Sequence, residues 1–230
     1  MTPESQAPGG GCPNCFGQQH CLLGRQQGAR RNDWMRIVVE RPVRKGELLL
    51  RQGQMAPAFQ IIKTGATLLL RGGEDGVERP VALLGAGQAV GATALVDIPA
   101  TTSCRALTAG RVCEVRIATA SRLGLLDAEF LASLAQSCAQ ANACLADWAR
   151  VARIRGVAGQ LAATLLLLAS MQRSTRVRLP SHTVLADLLS TTRETIARTL
   201  RQLAQRQGVV RHDRWHCEIR RETLLSLAGG

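Results

Sequence analysis

Three cysteines close to the N-terminus, Cys12, Cys15 and Cys21, carry the densest potential chemistry of the chain, in a Cys-x2-Cys-x5-Cys array written CPNCFGQQHC. Sulfur donors gathered on so short and helix-poor a segment can converge on one soft metal ion or on an iron–sulfur cluster, whose irons take thiolate ligands. Three thiolates leave such a centre one ligand short, so a fourth donor has to come from elsewhere in the fold. The same residues can also hold zinc, for which Cys-x2-Cys is a common half-site, or form a thiol/disulfide pair. A second closely spaced pair would favour zinc, and the other cysteines, at 104, 113, 138, 144 and 217, supply none. His20, directly before Cys21, reads as a solvent-facing loop residue.

A second constellation lies near the other end, in SHTVLADLLSTTRETIARTLRQLAQRQGVVRHDRWHCEIRR. Ser181 can cap a helix running to Leu188, residues 190–192 make a turn, and Arg193–Gln207 form a second helix stopped by Gly208. Val209–Val210 and His216–Ile219 read as the strands of a wing. The first turns of the second helix present Arg193, Glu194, Ala197 and Arg198 on one side. In a helix-turn-helix this end enters the major groove, where Arg can donate two hydrogen bonds to guanine and Glu can accept one from cytosine. From Ile154 onward there are 12 Arg against 5 acidic residues, a surplus suited to phosphate contacts.

These two sites need elements to position them. From about Trp34 to Ile117, short apolar runs alternate with glycines, as in FQIIKTGATLLLRGGEDG and RPVALLGAGQAVG, which predicts a small β-barrel or β-roll. After Ser121 the pattern changes. Leu131, Leu134, Cys138, Ala141, Leu145, Trp148 and Ala152 recur at alternating spacings of three and four, a coiled-coil seam over about three heptads. About 27 helical residues at 1.5 Å each span ~40 Å, more than one small domain covers, so this seam is expected to be a homodimer interface. Cys138 on it and Cys144 beside it read as packing residues.

The bulk numbers agree with a DNA-binding protein without requiring one. The chain has 230 residues and a formal net charge of +12, but 27 of its 29 basic residues are Arg, a bias that genome composition alone can produce. The start MTPESQAPGGG lacks a basic stretch followed by an apolar one, so no secretory leader is expected, and Thr2–Gly11 is expected to be disordered. The longest apolar run, Leu161 to Ala169, is far shorter than the ~20 residues of a membrane span. The four histidines are scattered, with no nucleophile or paired carboxylates beside them, so no enzyme is expected.

On these residues the chain resembles the Crp/Fnr superfamily of bacterial transcription regulators along nearly its whole length. TTRETIARTLRQLAQRQGV is similar to the family's recognition region, with Arg193, Glu194 and Arg198 at base-reading positions, nearer to a Crp-type Arg-Glu-Thr-x-x-Arg pattern because Ala197 stands where the Fnr type has serine. The resemblance implies a palindromic operator with TGTGA-like or TTGAT-like half-sites, and RNA polymerase as a partner. The spacing of Cys12, Cys15 and Cys21 equals the N-terminal array of the Fnr branch, where a further cysteine from the β-roll completes a 4Fe–4S cluster; Cys113, in RVCEVRI, is implied as that ligand, with Cys104 in reserve. The family's cyclic-nucleotide pocket uses a Glu for the ribose and an Arg for the phosphate. Here Ala92 and Ala100 stand in their places, so no cyclic nucleotide is expected.

The expected architecture is therefore α+β. It comprises a disordered N-terminus with the cysteine loop (1–30), a β-roll sensor (31–120), a dimerisation helix (121–155) and a winged helix-turn-helix (156–230). The expected function is a cytoplasmic, oxygen-sensing transcription regulator. The alternatives are a regulator with a thiol/disulfide or zinc site, or a β-roll protein that regulates a partner without touching DNA.

Overall fold

A computed structural model of the chain describes Cys15 and residues 18–229. Cys12, and the stretch expected to be disordered, lie outside the described residues.

The glycine-punctuated half forms antiparallel strands: β1 (Val39–Val43), β2 (Leu48–Leu50), β3 (Ala58–Thr64), β4 (Thr67–Gly72), β5 (Glu78–Leu84), β6 (Ala89–Val90), β7 (Ser103–Ala106) and β8 (Gly110–Arg116). They make two four-stranded sheets, ordered β1–β8–β3–β6 and β2–β7–β4–β5. The expected β-roll is present, and with the helices that follow it makes the α+β fold. Strand β8 is central to the first sheet, pairing Glu40 with Cys113 on one side and Ile61 with Cys113 on the other.

By its contacts the chain divides into two compact units, residues up to 67 with 85–139, and residues 68–84 with 140–230. The first is built around an aromatic core. Trp34 stacks on Phe130 with centroids 4.7 Å apart, and Phe59 closes the group at 6.3 Å from Trp34 and 6.1 Å from Phe130. All three rings are fully buried.

Trp34 belongs to an unforeseen helix, α1 (Gly28–Ile37). Its sequence, GARRNDWMRI, buries Trp34 alone completely, so no apolar period marks it. The short helix α2 (Ile117–Arg122) precedes the long helix α3 (Ala128–Arg153). The predicted long helix from 121 thus starts seven residues later. Between the two, Gly124 takes φ +64, a left-handed conformation that ends one helix, and Asp127 starts the next by accepting from the Phe130 amide at 2.9 Å.

The second unit centres on α4 (Val157–Gln172), whose residues from Leu161 to Leu165 are all buried. It packs against α6 (Arg193–Gln205) and α7 (Arg221–Ala228). STRVRLP, expected as a plain connector, contributes strand β9 (Arg176–Arg178), which pairs with the wing. The wing strands are β10 (Val209–Arg211) and β11 (His216–Ile219), giving the sheet order β10–β11–β9. Among the described residues, no helix is long and apolar enough to cross a membrane.

Candidate functional site

Three of the four predicted sulfur ligands share one cavity wall. Cys15, Cys21 and Cys113 line one cavity of about 360 Å³, whose wall also includes Leu23, Met35 and Ile61. Cys104, the reserve ligand, is fully buried in β7 of the other sheet and does not line this cavity.

The cysteine segment is anchored by its own apolar residues. Leu22 and Leu23, 1% exposed each, belong to the core cluster of Trp34, Phe59 and Phe130, and Cys21 and Cys113 pack with them. The segment also turns tightly, so that a side chain at Gly24 would meet the Gln18 carbonyl oxygen at 2.2 Å. A glycine is required there to let the two backbones approach.

The chemistry of this donor set suits a soft cation. Burial pushes the Cys113 thiol up to about 12, and a charged Cys21 beside it pushes the same way; the Lys63 ammonium pulls it down, while Glu40 and Cys15 raise it further. Such a thiol stays protonated at neutral pH until a metal displaces the proton. Sulfur donors on a largely apolar wall fit an iron–sulfur centre in kind. Among the described residues, no three His, Cys, Asp or Glu side chains are gathered closely enough to hold a metal ion. The array's remaining thiol, Cys12, lies outside those residues.

The segment just after Cys21 is tied to the first turns of α3. Gln26, 3% exposed, donates from Nε2 to Ser133 Oγ at 3.3 Å, and Arg25 donates to Gln136 Oε1 at 3.4 Å. Arg30 forms an ion pair with Asp127, the residue that caps α3. Sequence reading missed these three side chains, because nothing in a linear pattern pairs residues a hundred positions apart.

Along α3, the residues predicted for the seam divide in two. Leu131, Cys138, Ala141, Leu145 and Ala152 are exposed, whereas Leu134 and Trp148 are 7% and 6% exposed and pack within their own chain. Cys144 is half-buried. Exposed leucines at 44% (Leu131) and 40% (Leu145) leave an apolar stripe without a partner in the single chain.

The predicted helix-turn-helix is present. Helix α5 (His182–Leu188) starts where Ser181 Oγ accepts from the Val184 amide at 3.2 Å. The turn passes through Ser190 at φ +49, and Thr192 caps α6 by accepting from the Thr195 amide at 3.2 Å. Helix α6 ends at Gln205, two residues before the predicted end, because Gln207 enters the left-handed region at φ +56. Ile196, Thr199, Leu200 and Leu203 face the core. Arg193, Glu194 and Arg198 are exposed and Ala197 is half-buried between them.

Arg201 is also exposed, one turn on from Ala197–Arg198, and was missed although the helical period places it on that stripe. At the wing tip, Arg214 lies over the Trp215 ring at 4.9 Å. The field here is strongly positive. His182 is held below its ordinary pKa by burial and then by Arg211, Arg193 and Arg214.

At the nucleotide-pocket positions, Ala92 starts a short 3-10 turn (Ala92–Val96) and Ala100 is 5% exposed. Neither side chain can bond a ribose hydroxyl or neutralise a phosphate.

Two family models match the chain: a cyclic nucleotide-binding domain over residues 40–125 and a Crp-like helix-turn-helix domain over residues 159–227. No curated protein matches it. Among solved structures it is similar to FixK2 from Bradyrhizobium japonicum, with TM-score 0.71, 21% identity, 83% of this chain covered and 97% of that one. It is also similar to a transcriptional regulator of the CRP/FNR family from Thermus thermophilus, with TM-score 0.64, 22% identity and coverage of 84% and 99%. A third is the c-di-GMP-responsive global regulator CLP from Xanthomonas campestris, with TM-score 0.66, 16% identity and coverage of 84% and 100%. At these identities the structural likeness is one of fold.

Proposed function

We propose that this chain, a Crp/Fnr-type DNA-binding transcription regulator by its two domain matches, senses oxygen through a 4Fe–4S cluster that promotes dimerisation and operator binding. The observation that supports this reading is that Cys15, Cys21 and Cys113 line one cavity, with Cys12 three residues upstream of Cys15 as the remaining candidate ligand. When bound, the cluster supplies an oxidisable centre held by sulfur.

The chain's own residues do the rest. Leu22 and Leu23 hold the cysteine segment on the sheet, and Arg25, Gln26 and Arg30 fasten the segment after it to the start of α3. Ordering that segment around the centre steadies the first turns of α3 and favours pairing of its exposed stripe, Leu131, Cys138, Ala141, Leu145 and Ala152, with a second copy. Binding at one site and pairing at the other must then favour each other equally, by linkage. Two paired readers address a palindrome one helical turn apart. In each, Arg193 and Arg198 read guanine and Glu194 reads cytosine, which favours a TGTGA-like half-site. Loss of the centre, with oxygen or nitric oxide as the signal, would release the segment held by Leu22, Leu23, Arg25 and Gln26 from its ordered state and lower DNA affinity. The regulator acts in the cytoplasm with RNA polymerase as its partner, and without a cyclic nucleotide, since Ala92 and Ala100 offer that ligand no polar group.

The test is a visible spectrum with iron and sulfide analysis on protein purified without air. A brown species with about four iron and four sulfide per chain, bleaching in air, is the expected result. A colourless protein containing zinc or no metal overturns the oxygen-sensing reading and leaves a DNA-binding regulator with another signal.

A further inference from the structure

The cysteine cavity has two charged groups on its wall, Glu40 and Lys63. Lys63 is one of only two lysines in a chain with 27 arginines. Its Nζ donates to Glu40 Oε2 at 2.6 Å, with the two side chains only 12% and 20% exposed. Arg111 takes the other carboxylate oxygen of Glu40. One carboxylate therefore meets two positive charges.

The sheet register explains why that charge bears on the sulfurs. Glu40 and Ile61 flank Cys113 directly on the neighbouring strands. Lys63 stands two residues beyond Ile61, at the register shift between Ile62 and Thr64, and lines the same cavity as Cys113. Arg111 is the more exposed of the two cations, at 40%, and is not on the cavity wall. Of the two cations, Lys63 is the one that shares the cavity wall with Cys15, Cys21 and Cys113.

We propose that Lys63 is a charge-balancing residue of the cysteine centre: its ammonium, fixed by Glu40, offsets the negative charge that accumulates when thiolates converge on the cavity. The inference rests on the iron–sulfur reading above. A nearby cation stabilises the more negative of two states, so it raises the midpoint of the centre's one-electron couple and makes loss of an electron to dioxygen harder. Lys63 touches the centre only through its field, and is a positioning residue for charge, not a ligand.

Lys63→Gln removes the charge and keeps a polar side chain, while Glu40 retains Arg111 as its partner, so the fold is expected to survive; Lys63→Arg keeps the charge. The full-length proteins are prepared without air, and three quantities are compared: the midpoint potential by mediated titration, the lifetime of the visible absorbance after admission of air, and the melting temperature of the metal-free form. The expected result is a lower midpoint and a several-fold shorter lifetime in Lys63→Gln, both restored in Lys63→Arg, with similar melting in all three. A loaded Lys63→Gln protein with unchanged midpoint and lifetime overturns this inference alone, as does a Lys63→Arg protein that behaves like Lys63→Gln. A wild-type protein that takes up no iron overturns the iron–sulfur reading, and this inference with it.

Discussion

At the scale of single residues, burial sorts the seven described cysteines more sharply than their spacing does. Cys104 is fully buried in β7, and burial pushes its thiol up to about 11, with the neighbouring Thr67 hydroxyl acting weakly the other way. A group that folding makes harder to ionise contributes stability below its unfolded pKa and loses it as pH rises through the folded one. The metal-free protein is accordingly expected to lose stability between pH 9 and 11, with Cys104 accounting for about 2–3 kcal/mol of it. Chemical denaturation of wild type and Cys104→Ala across that range measures this; parallel curves would refute it. In the reader, the roles of two arginines separate by the same attention to position. Arg198 sits on the exposed face of α6, and Arg198→Ala should cost about 1–3 kcal/mol of operator affinity and relax the preference at one base pair. Arg214 stands at the wing tip, where Arg214→Ala should weaken all sequences alike and lower the salt slope by about one. Binding titrations at several salt concentrations, on matched and singly altered operators, distinguish the two patterns.

At the scale of elements, what could be foreseen was whatever announces itself by a local period or a local cap. Glycine-bounded apolar runs announced the β-roll, and Ser181 with the residues after it announced α5 and α6, since a cap and the helix it starts are neighbours in sequence. The capping role of Thr192 went unread although it lay within the expected turn; replacing it with Ala should destabilise the reader by about 1 kcal/mol. Helix α1 was illegible for the opposite reason. Its place is set by one residue, Trp34, packing against Phe59 and Phe130, and those partners are far away in the chain. Trp34→Ala should therefore cost about 3–5 kcal/mol, read as a fall in the denaturation midpoint. The sharing of one cavity wall by Cys113, Cys15 and Cys21 is of the same kind. Its three residues come from a turn and from the central strand of a sheet, and only a resemblance, not a spacing, could bring them together in advance.

At the scale of the whole molecule, the proposed switch has a signature that does not depend on knowing the operator's sequence. The region after Ile154 carries a surplus of seven positive charges, and the log of DNA affinity falls with the log of salt in proportion to the phosphates neutralised. One reader engages one set of phosphates, and a pair bound to a palindrome engages two. A centre that drives pairing of α3 must therefore change the slope of the salt dependence as well as the affinity, roughly doubling it between the unpaired and paired forms. Cys12→Ser should hold the protein in the unpaired form in either atmosphere, because the array loses a ligand while Leu22, Leu23 and the aromatic core still anchor the segment. Sedimentation without air should then give a dimer for the loaded wild type and a monomer for Cys12→Ser, with salt slopes in the ratio of about two to one. The coupling between the two sites need only reach the 1–3 kcal/mol typical of such linkage for the affinities to differ about 5–150-fold. A Cys12→Ser protein that still bound a palindrome only in the absence of air would sink the mechanism, since the response would then come from some group other than the cysteine centre.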